Sequence, residues 1–454
     1  MISNKVVLLE EHLTALNELL FDIPGIEGAA FILCGQSVSE SVTKLISHAV
    51  IPIKKEEYLR REPYCLSISS AALSRVTKLA RYENLSIIFA HSHPQGISEF
   101  SEQDDGEEEK LMPFLQSRVP DRIHGTLVLT ESHIRGRLYI PHRIATDAVL
   151  TVGNRFNGYF TGTTEIAPIY DRQVRAFGKD VQHILSKLHI GVVGLGGTGS
   201  PLAEQLCRLG VGTLSLFDGD IFEDTNVNRV FGSRLEDAGL LKVDIAKRSL
   251  DAIGLGTDIK LHPKHITDEK TALALRDCDV IFGCTDKELP RAILQKVALH
   301  YSIPVLDLGV LIDSHAGKII GVHGRVTTCM AGEACLFCRG RITSENIRIE
   351  TLPEVERKQQ IKEGYAPELG DPAPAVIAFT AATSSIGVAE LLHRLTGFMG
   401  SERYSSEVLI AFDLSRIRTN RIEAREGCTC SDKAEWGCGD KVPFLELMWP
   451  NHTK

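Results

Sequence analysis

Short apolar runs recur along the chain at spacings that alternate between two periods. Ala29 to Leu33, Leu85 to Phe89 and Thr126 to Leu129 read as buried strands. Between them, Glu10 to Leu20 and Ser70 to Tyr82 place apolar residues at helical spacing. Further along, His189 to Val193, Thr213 to Phe217, Val280 to Phe282 and Val305 to Leu308 are again strand-like, with helical stretches between them. Strands that alternate with helices predict a parallel sheet. The pattern lapses twice. Residues 151–171, TVGNRFNGYFTGTTEIAPIYD, are rich in Gly, Thr and Asn and read as a connector. Arg339 to Pro374 is a long, charged, irregular segment, which inside a domain is usually functional or mobile. No internal repeat interrupts this order. The pattern predicts an α/β chain of two domains, 1–150 and 169–450, joined by a linker over 151–168.

Composition narrows the class. The chain has 454 residues, 43% hydrophobic and 24% charged, as ordinary folded protein does. Its formal net charge of −9 argues against a nucleic-acid surface as its main business. The apolar stretch Ala375 to Ala389 carries Thr380, Thr383, Ser384 and Ser385, and at fifteen residues is shorter than the roughly 20 needed to span a membrane. Glu10 and Glu11 arrive before any apolar core of signal-peptide length, so the expected location is the cytoplasm, with no membrane partner. Without an export signal, eleven cysteines, several in CxxC or CxC pairs, read as metal ligands rather than disulfides.

The first cluster of candidate chemistry follows the strand LSIIFA. It reads H-x-H-x7-S-x2-D, with His91, His93, Ser101 and Asp104. On an extended segment residues i and i+2 point the same way, so His91 and His93 can reach one ion. A turn through Pro94 and Gly96 brings Asp104 around as third ligand, with Asp105 as the alternative if the turn is shifted. Two imidazoles and a carboxylate leave a fourth position for water, the arrangement of catalytic zinc. Zinc lowers the pKa of that water toward about 7. Glu27, outside the ligand shell, is the candidate general base, and Ser101 the candidate oxyanion donor. The acidic run Glu107 to Glu109 reads as a solvated first helical turn, and His124 and His133 as packed or exposed histidines. This pattern resembles the JAMM (JAB, MPN+) metalloproteases, which cleave after the C-terminal glycine of ubiquitin-like proteins. The resemblance covers roughly residues 1–145 and implies a JAB/MPN-like α/β domain.

The second cluster follows the strand IGVVG. Gly194, Gly196, Gly197 and Gly199 form a glycine loop that opens a helix, where backbone N–H groups can meet phosphate. Asp218, twenty-four residues after Gly194, is placed to accept from a ribose hydroxyl. The glycine loop alone fits a dehydrogenase equally well. LFDGDIFEDTNVNRVFG then supplies Asn226, Asn228 and Arg229, Lys242 follows, and CDVIFGCTDKELPR supplies Asp286 and Arg291. This set resembles the ThiF/MoeB/ubiquitin-activating adenylyltransferases over roughly residues 168–440. The resemblance implies a Rossmann-like fold with a mostly parallel sheet. It also implies adenylation of a C-terminal glycine carboxylate by ATP and Mg²⁺. Arg229, Lys242 and Arg172 (in YDRQ) would then stabilise the triphosphate, Asp286 would hold Mg²⁺, and Asn226 and Asn228 would orient the nucleotide. A homodimer through the adenylation halves, with Arg172 acting in trans, is part of the same implication.

The family often binds a structural zinc with two CxxC pairs. Cys335 and Cys338 match the first; Cys428 and Cys430 form a CxC, and Cys438 can stand in for Cys430. Cys34, Cys65, Cys207, Cys278 and Cys284 lie in apolar segments and read as small core residues. Relatives that form a thioester carry a cysteine in the loop before the last helical segment. Arg339 to Pro374 has none, and Cys329 is a weak substitute, so no thioester is expected there. Together the halves imply a bifunctional protein acting on a ubiquitin-like or sulfur-carrier protein: zinc-dependent cleavage after its glycine and ATP-dependent adenylation of that glycine. A conjugating enzyme or a sulfur donor would be a further partner. The alternatives are a non-catalytic N-terminal binding module, or sulfur-carrier activation for biosynthesis.

Overall fold

The computed structural model describes residues 2–162, 165–364, 374–400, 403 and 406–449. The chain forms two units. One comprises Met1–Thr163, His300–Ser302 and Lys433–Val442, and the other Thr164–Leu299, Ile303–Asp432 and Pro443–Lys454.

In the N-terminal unit the chain runs β1 (Ser3–Leu9), α1 (Glu10–Leu20), β2 (Ala29–Val38), β3 (Val42–Pro52), β4 (Tyr58–Glu62), β5 (Cys65–Ile68) and α2 (Ser70–Glu83). It continues through β6 (Ser86–Ser92), α3 (Glu102–Arg118), β7 (His124–Leu129), β8 (Ile134–Ile140), β9 (His142–Ala145), β10 (Ala148–Val152) and β11 (Phe156–Phe160). Nine strands form one sheet in the order β11-β10-β1-β3-β2-β6-β7-β8-β9, while β4 and β5 pair separately. The strand β2 shows why the sheet is covered on both faces. Ala30, Ile32 and Cys34 join a core with Leu16 and Leu20 of α1, while Ala29, Phe31 and Leu33 join another with Val76 of α2 and Met112 of α3. Successive side chains of a strand point to opposite faces, so a fully apolar run needs a helix on each side. The helix α2 starts where the Ser69 side chain accepts from Ala72 N, and stops at Asn84, whose φ of 57° is left-handed.

Two boundaries differ from those expected. The connector over 151–168 is in part sheet: β10 extends to Val152, and β11 pairs antiparallel with it from Ala148↔Phe160 to Val152↔Phe156. The aromatic residues of NRFNGYF supply β propensity that outweighs the glycines. Secondly, Lys433–Val442 belongs to the N-terminal unit and not to the second domain. It lies along β2 at a bulge between Leu33 and Cys34. Gly35 N donates to Gly437 O at 3.1 Å, Asp440 N to Gln36 O at 2.8 Å, and Val38 N to Asp440 Oδ2 at 3.0 Å. A Cβ at Gly35 would lie 2.3 Å from Gly437 O, so only glycine lets the backbones meet.

The second unit begins with α4 (Asp171–Lys187), kinked at Gly178, whose φ is 87°. Then follow β12 (His189–Val193), α5 (Gly199–Arg208), β13 (Thr213–Phe217), α6 (Lys242–Asp251), β14 (Asp258–His262), α7 (Glu269–Leu273), β15 (Val280–Gly283) and α8 (Glu288–His300). The chain closes with β16 (Val305–His315), β17 (Lys318–Cys329), α9 (Ser344–Thr351), α10 (Glu354–Lys362), α11 (Ile377–Thr396), β18 (Glu407–Ala411) and β19 (Arg416–Asn420). The sheet order is β14-β13-β12-β15-β16-β17-β18-β19. It is parallel from β14 to β16, and antiparallel from β16 to β19. The order reverses direction between β12 and β15, which opens a crevice at their carboxyl ends. The segment read as irregular, Arg339 to Pro374, contains α9 and α10; Thr343 caps α9 by accepting from Asn346 N. Residues 365–373 of that segment lie outside the described residues. No helix among the described residues is long and apolar enough to cross a membrane.

Candidate functional site

In the N-terminal unit, antiparallel pairing of Ala29 with His91 sets the loop that carries Glu27 beside the end of β6. Ser92, between the two histidines, pins that loop: its hydroxyl accepts from Gly28 N at 2.9 Å and donates to Leu20 O at 2.9 Å. Ser101 caps α3, and so orients Asp104 in the first turn. The three sequence-predicted ligands converge. His91 Nε2 lies 3.1 Å from Asp104 Oδ1 and 3.1 Å from His93 Nε2; His93 Nε2 lies 3.4 Å from Asp104 Oδ2. Donors about 2.0–2.2 Å from a tetrahedral zinc would stand roughly 3.3–3.6 Å apart, so this set lies within a few tenths of an ångström of the spacing such an ion needs. His93 Nδ1 is 2.9 Å from Ile97 O, which fixes the tautomer and leaves Nε2 its lone pair.

Asp105 stands outside this cluster. It pairs with Arg137 at 2.6 Å and Arg143 at 2.7 Å. Nor is the Glu107 to Glu109 run wholly solvated: Glu108 is buried, accepting from Thr126 Oγ1 at 2.7 Å, from Arg137 at 3.0 Å and from the Tyr139 hydroxyl. The Ser101 hydroxyl donates to Asp104 Oδ2 at 2.8 Å, so it holds that carboxylate in place. Service as an oxyanion donor requires this hydrogen to turn. Burial works to raise the Asp104 carboxyl, but the His91 and His93 imidazoles in contact with it hold it far below the ordinary range. Burial raises Glu27, and the nearby imidazoles oppose that rise. His124 is fully buried and joins Ile87 N to Val119 O. Beside the triad lies a cavity of ≈ 290 Å³, walled by Leu66, Ile68, Leu73, Phe89, Leu111 and Phe114.

In the second unit the glycine loop connects β12 to α5. Gly194 has φ 90°, and a Cβ there would lie 2.7 Å from Cys284 O; at Gly199 it would lie 1.8 Å from Gly194 O. Neither position admits a side chain, whereas Gly196 faces open space, with nothing within 4 Å of its added Cβ. The N–H groups of Gly196, Gly197 and Thr198 have no acceptor among the described residues. Asp218, at the end of β13, accepts from Leu195 N at 2.6 Å and from Asp220 N at 2.8 Å. Burial raises its carboxyl, against the charge of Lys242. Lys242 opens α6 and pairs with Asp220 Oδ2 at 2.7 Å, a partner not foreseen from the sequence. Arg229 packs against Gly197, its Cβ 3.4 Å from an added Cβ, and donates to Thr225 O at 2.7 Å.

The remaining residues divide. Asn226 is buried, its side chain accepting from Glu223 N at 3.3 Å, so it serves the turn rather than the open side of the loop. Asn228 is exposed and accepts from Arg229 at 3.3 Å. Asp286 is exposed, two residues beyond Cys284, whose N–H donates to Val193 O at 2.8 Å beside the glycine loop. Arg291 is not a free surface charge: it donates to Thr285 O at 2.8 Å and pairs with Asp307 at 3.2 Å, bracing the turn that carries Asp286. Arg172 is exposed on α4, with no hydrogen bond or ion pair to another described residue. The helix α11 adds a contact with the glycine loop that the sequence pattern did not predict. Ser384, within it, lies 2.6 Å from Thr198 O of the loop.

Cys335, Cys338, Cys428 and Cys430 gather with their sulfur atoms within 4.8 Å of one another. Cys335 and Cys428 Sγ are 3.5 Å apart, and Cys338 and Cys430 Sγ 3.6 Å. Sulfurs about 2.3 Å from a tetrahedral zinc would stand roughly 3.8 Å apart, so the set fits that ion. Hydrogen bonding by Cys430, more than burial, sets Cys335, lowering its thiol to about 5 and favouring the thiolate a metal needs. Arg425 N donates to Cys338 Sγ at 3.3 Å. Cys438 belongs to the other unit, where it donates to Glu435 O, so Cys430 completes the set.

A family model described as the ThiF family matches residues 170–431. The protein named adenylyltransferase and sulfurtransferase uba4 of Aspergillus niger is 30% identical over 180 residues, covering 38% of this chain and 37% of that one. Its namesake in Candida glabrata is 32% identical over 143 residues, covering 32% and 31%. The chain thus spans about a third of the length of these relatives. Among solved structures, Escherichia coli MccB with ATP aligns at TM-score 0.46 and 16% identity, over 59% of this chain and 75% of that one. PaaA aligns at TM-score 0.43 and 20% identity, over 59% and 88%.

Proposed function

The chain belongs to the ThiF family, and from that premise we propose that its second unit adenylates the C-terminal glycine carboxylate of a ubiquitin-like or sulfur-carrier protein. In this step a carboxylate oxygen attacks the α-phosphorus of ATP, the bond to the bridging oxygen breaks, and pyrophosphate leaves. Both reactants are anions, so cationic groups must offset their repulsion. The observation that carries the reading is the glycine loop, whose N–H groups at Gly196, Gly197 and Thr198 have no acceptor among the described residues, with Arg229 packed on it. Asp218 keeps lone pairs for a ribose hydroxyl, and Lys242 can swing from Asp220 to the triphosphate. Asp286, held by the Arg291 brace, would hold Mg²⁺, which neutralises phosphate charge when bound. Cys329 is buried and burial pushes its thiol well up, which supports adenylation without a thioester.

The name of the uba4 relatives favours a sulfur carrier as the substrate. For the N-terminal unit we read a JAMM-like hydrolase that trims the same glycine tail. His91, His93 and Asp104 would hold zinc, which lowers the pKa of bound water when present. Glu27 would take the proton of that water, and the neighbouring cavity would exclude solvent. Fusing the two activities raises the effective concentration of one site for the other's product.

ATP–pyrophosphate exchange that requires a small protein ending in Gly-Gly tests the first activity. Cleavage of that protein extended beyond its glycine, lost on chelation and in His91→Ala, tests the second. Exchange without cleavage would leave the N-terminal unit as a binding module.

A further inference from the structure

On the adenylation reading, the glycine loop must be held open toward the nucleotide. A loop presents its N–H groups to an anion only if its carbonyls are turned away from the same face. In this loop the carbonyls of Gly196 and Thr198 accept the first backbone bonds of α5, from Ser200 N at 3.1 Å and Leu202 N at 3.4 Å, and each also meets a serine hydroxyl. Ser200 Oγ donates to Gly196 O at 2.8 Å, and itself accepts from Phe231 N at 3.0 Å. Ser200 belongs to α5, so that bond is local. The other reaches across the fold. Ser384 Oγ lies 2.6 Å from Thr198 O and 2.9 Å from Thr380 O of its own helix. Its one hydrogen has two carbonyls in range, and the nearer is the loop's.

The surroundings leave the hydroxyl little else to do. Ser384 and Thr383 are fully buried and Thr380 nearly so. Thr380 Oγ1 lies 3.2 Å from an added Cβ at Gly197, and Arg229 Cβ and Cδ each lie 3.4 Å from it. The helix α11 thus packs one hydroxyl face on the loop. A serine within a helix ordinarily bonds back to its own i−4 carbonyl and gains little. Here the same hydroxyl ties a helix to a loop 186 positions away in sequence. The loop N–H groups nearby have no acceptor among the described residues, so the tie orders donors that face a ligand.

We propose that Ser384 is a positioning residue for the nucleotide: its hydroxyl holds the Thr198 carbonyl away, which turns the Gly199 N–H of the same trans peptide toward phosphate and steadies the turn that carries the N–H groups of Gly196, Gly197 and Thr198. It touches neither substrate, and acts through the loop.

The full-length chain tests this by KM for ATP and KM for the carrier protein in pyrophosphate exchange, with direct ATP titration alongside. Ser384→Ala should raise KM and Kd for ATP about fivefold, the loss of roughly one neutral hydrogen bond, with KM for the carrier unchanged. Ser385→Ala is the control, because that exposed hydroxyl bonds only to Ala381 O at 3.0 Å in its own helix. If the alanine variant does not fold, Ser384→Cys, nearly isosteric and a weaker donor, takes its place with the same expectation. An ATP effect below threefold in the folded variant, or an equal rise in both KM values, overturns the proposal. If the wild-type chain neither binds ATP nor exchanges pyrophosphate, the adenylation reading fails and this inference falls with it. If the wild type does both and Ser384→Ala matches it, only the positioning role is lost.

Discussion

Lys242 Nζ stands 2.7 Å from Asp220 Oδ2, and this pair, not Lys242 with Asp218, is the ion pair at the mouth of the glycine loop. Burial opposes ionisation of Asp220, yet the bond from Lys242 holds its carboxyl below the ordinary range. His265 adds a second, longer contact at 3.4 Å. Asp220 is half-exposed, so the pair itself contributes little to stability. Its consequence is a parked ammonium, free to exchange one anion for another.

Lys242→Ala should therefore lower kcat for pyrophosphate exchange by roughly 10²–10³, the usual cost of removing one group that stabilises transition-state charge. Asp220→Asn should cost far less, because the lysine stays. Equal losses in both variants would show that Lys242 acts through Asp220 and not on the phosphates.

At the His91, His93 and Asp104 cluster, the hydrolase reading predicts that Glu27→Gln reduces cleavage by roughly 10²–10⁴ while bound zinc stays constant, since a general base would lie outside the ligand shell. His91→Ala and Asp104→Ala should lose the zinc itself, and Asp105→Ala should not, because Asp105 is engaged by Arg137 and Arg143. Metal content by atomic absorption separates the two classes.

The cysteine cluster makes a cleaner distinction. Cys428→Ser or Cys430→Ser should lose one equivalent of zinc, whereas Cys438→Ser should retain it, since Cys438 donates to Glu435 O in the other unit. Retention of full zinc in Cys430→Ser would assign the fourth ligand elsewhere.

A pH dependence follows from His12. Burial, the largest cause, lowers its imidazole to about 4, and Ser47 Oγ lies 2.8 Å from its Nδ1. The folded unit binds this proton less well than the unfolded chain does. Its stability contribution is complete above the ordinary 6.5 and is lost as pH falls toward about 4. Over that window the N-terminal unit should lose up to about 3 kcal/mol, and His12→Asn should flatten the slope. Denaturant midpoints at stepped pH measure both.

The Lys433–Val442 segment predicts a contrast between two glycines. A Cβ at Gly437 would sit 2.3 Å from Ser47 O at a φ of 62°, while Gly25 has φ 74° and open space. Gly437→Ala should destabilise the N-terminal unit by about 2–5 kcal/mol, and Gly25→Ala by only about 1–2 kcal/mol of left-handed strain. Thermal unfolding of the two variants decides it.

The two constellations were legible in the primary structure because each is local. His91, His93, Ser101 and Asp104 share one strand end and one helix start, and Gly194 to Gly199 share one turn. Spacing along so short a stretch limits where side chains can go. The alternation of strands and helices likewise announced the second unit's parallel strands, since apolar period follows backbone geometry. What tertiary structure decided lies between segments far apart in the chain. Asp220 beside Lys242, Ser384 against Thr198, Glu108 under Tyr139 and Gly437 against Ser47 have no shared local pattern. Each depends on how whole elements pack, and packing selects contacts by shape and unsatisfied hydrogen bonds, which no window of neighbouring residues contains.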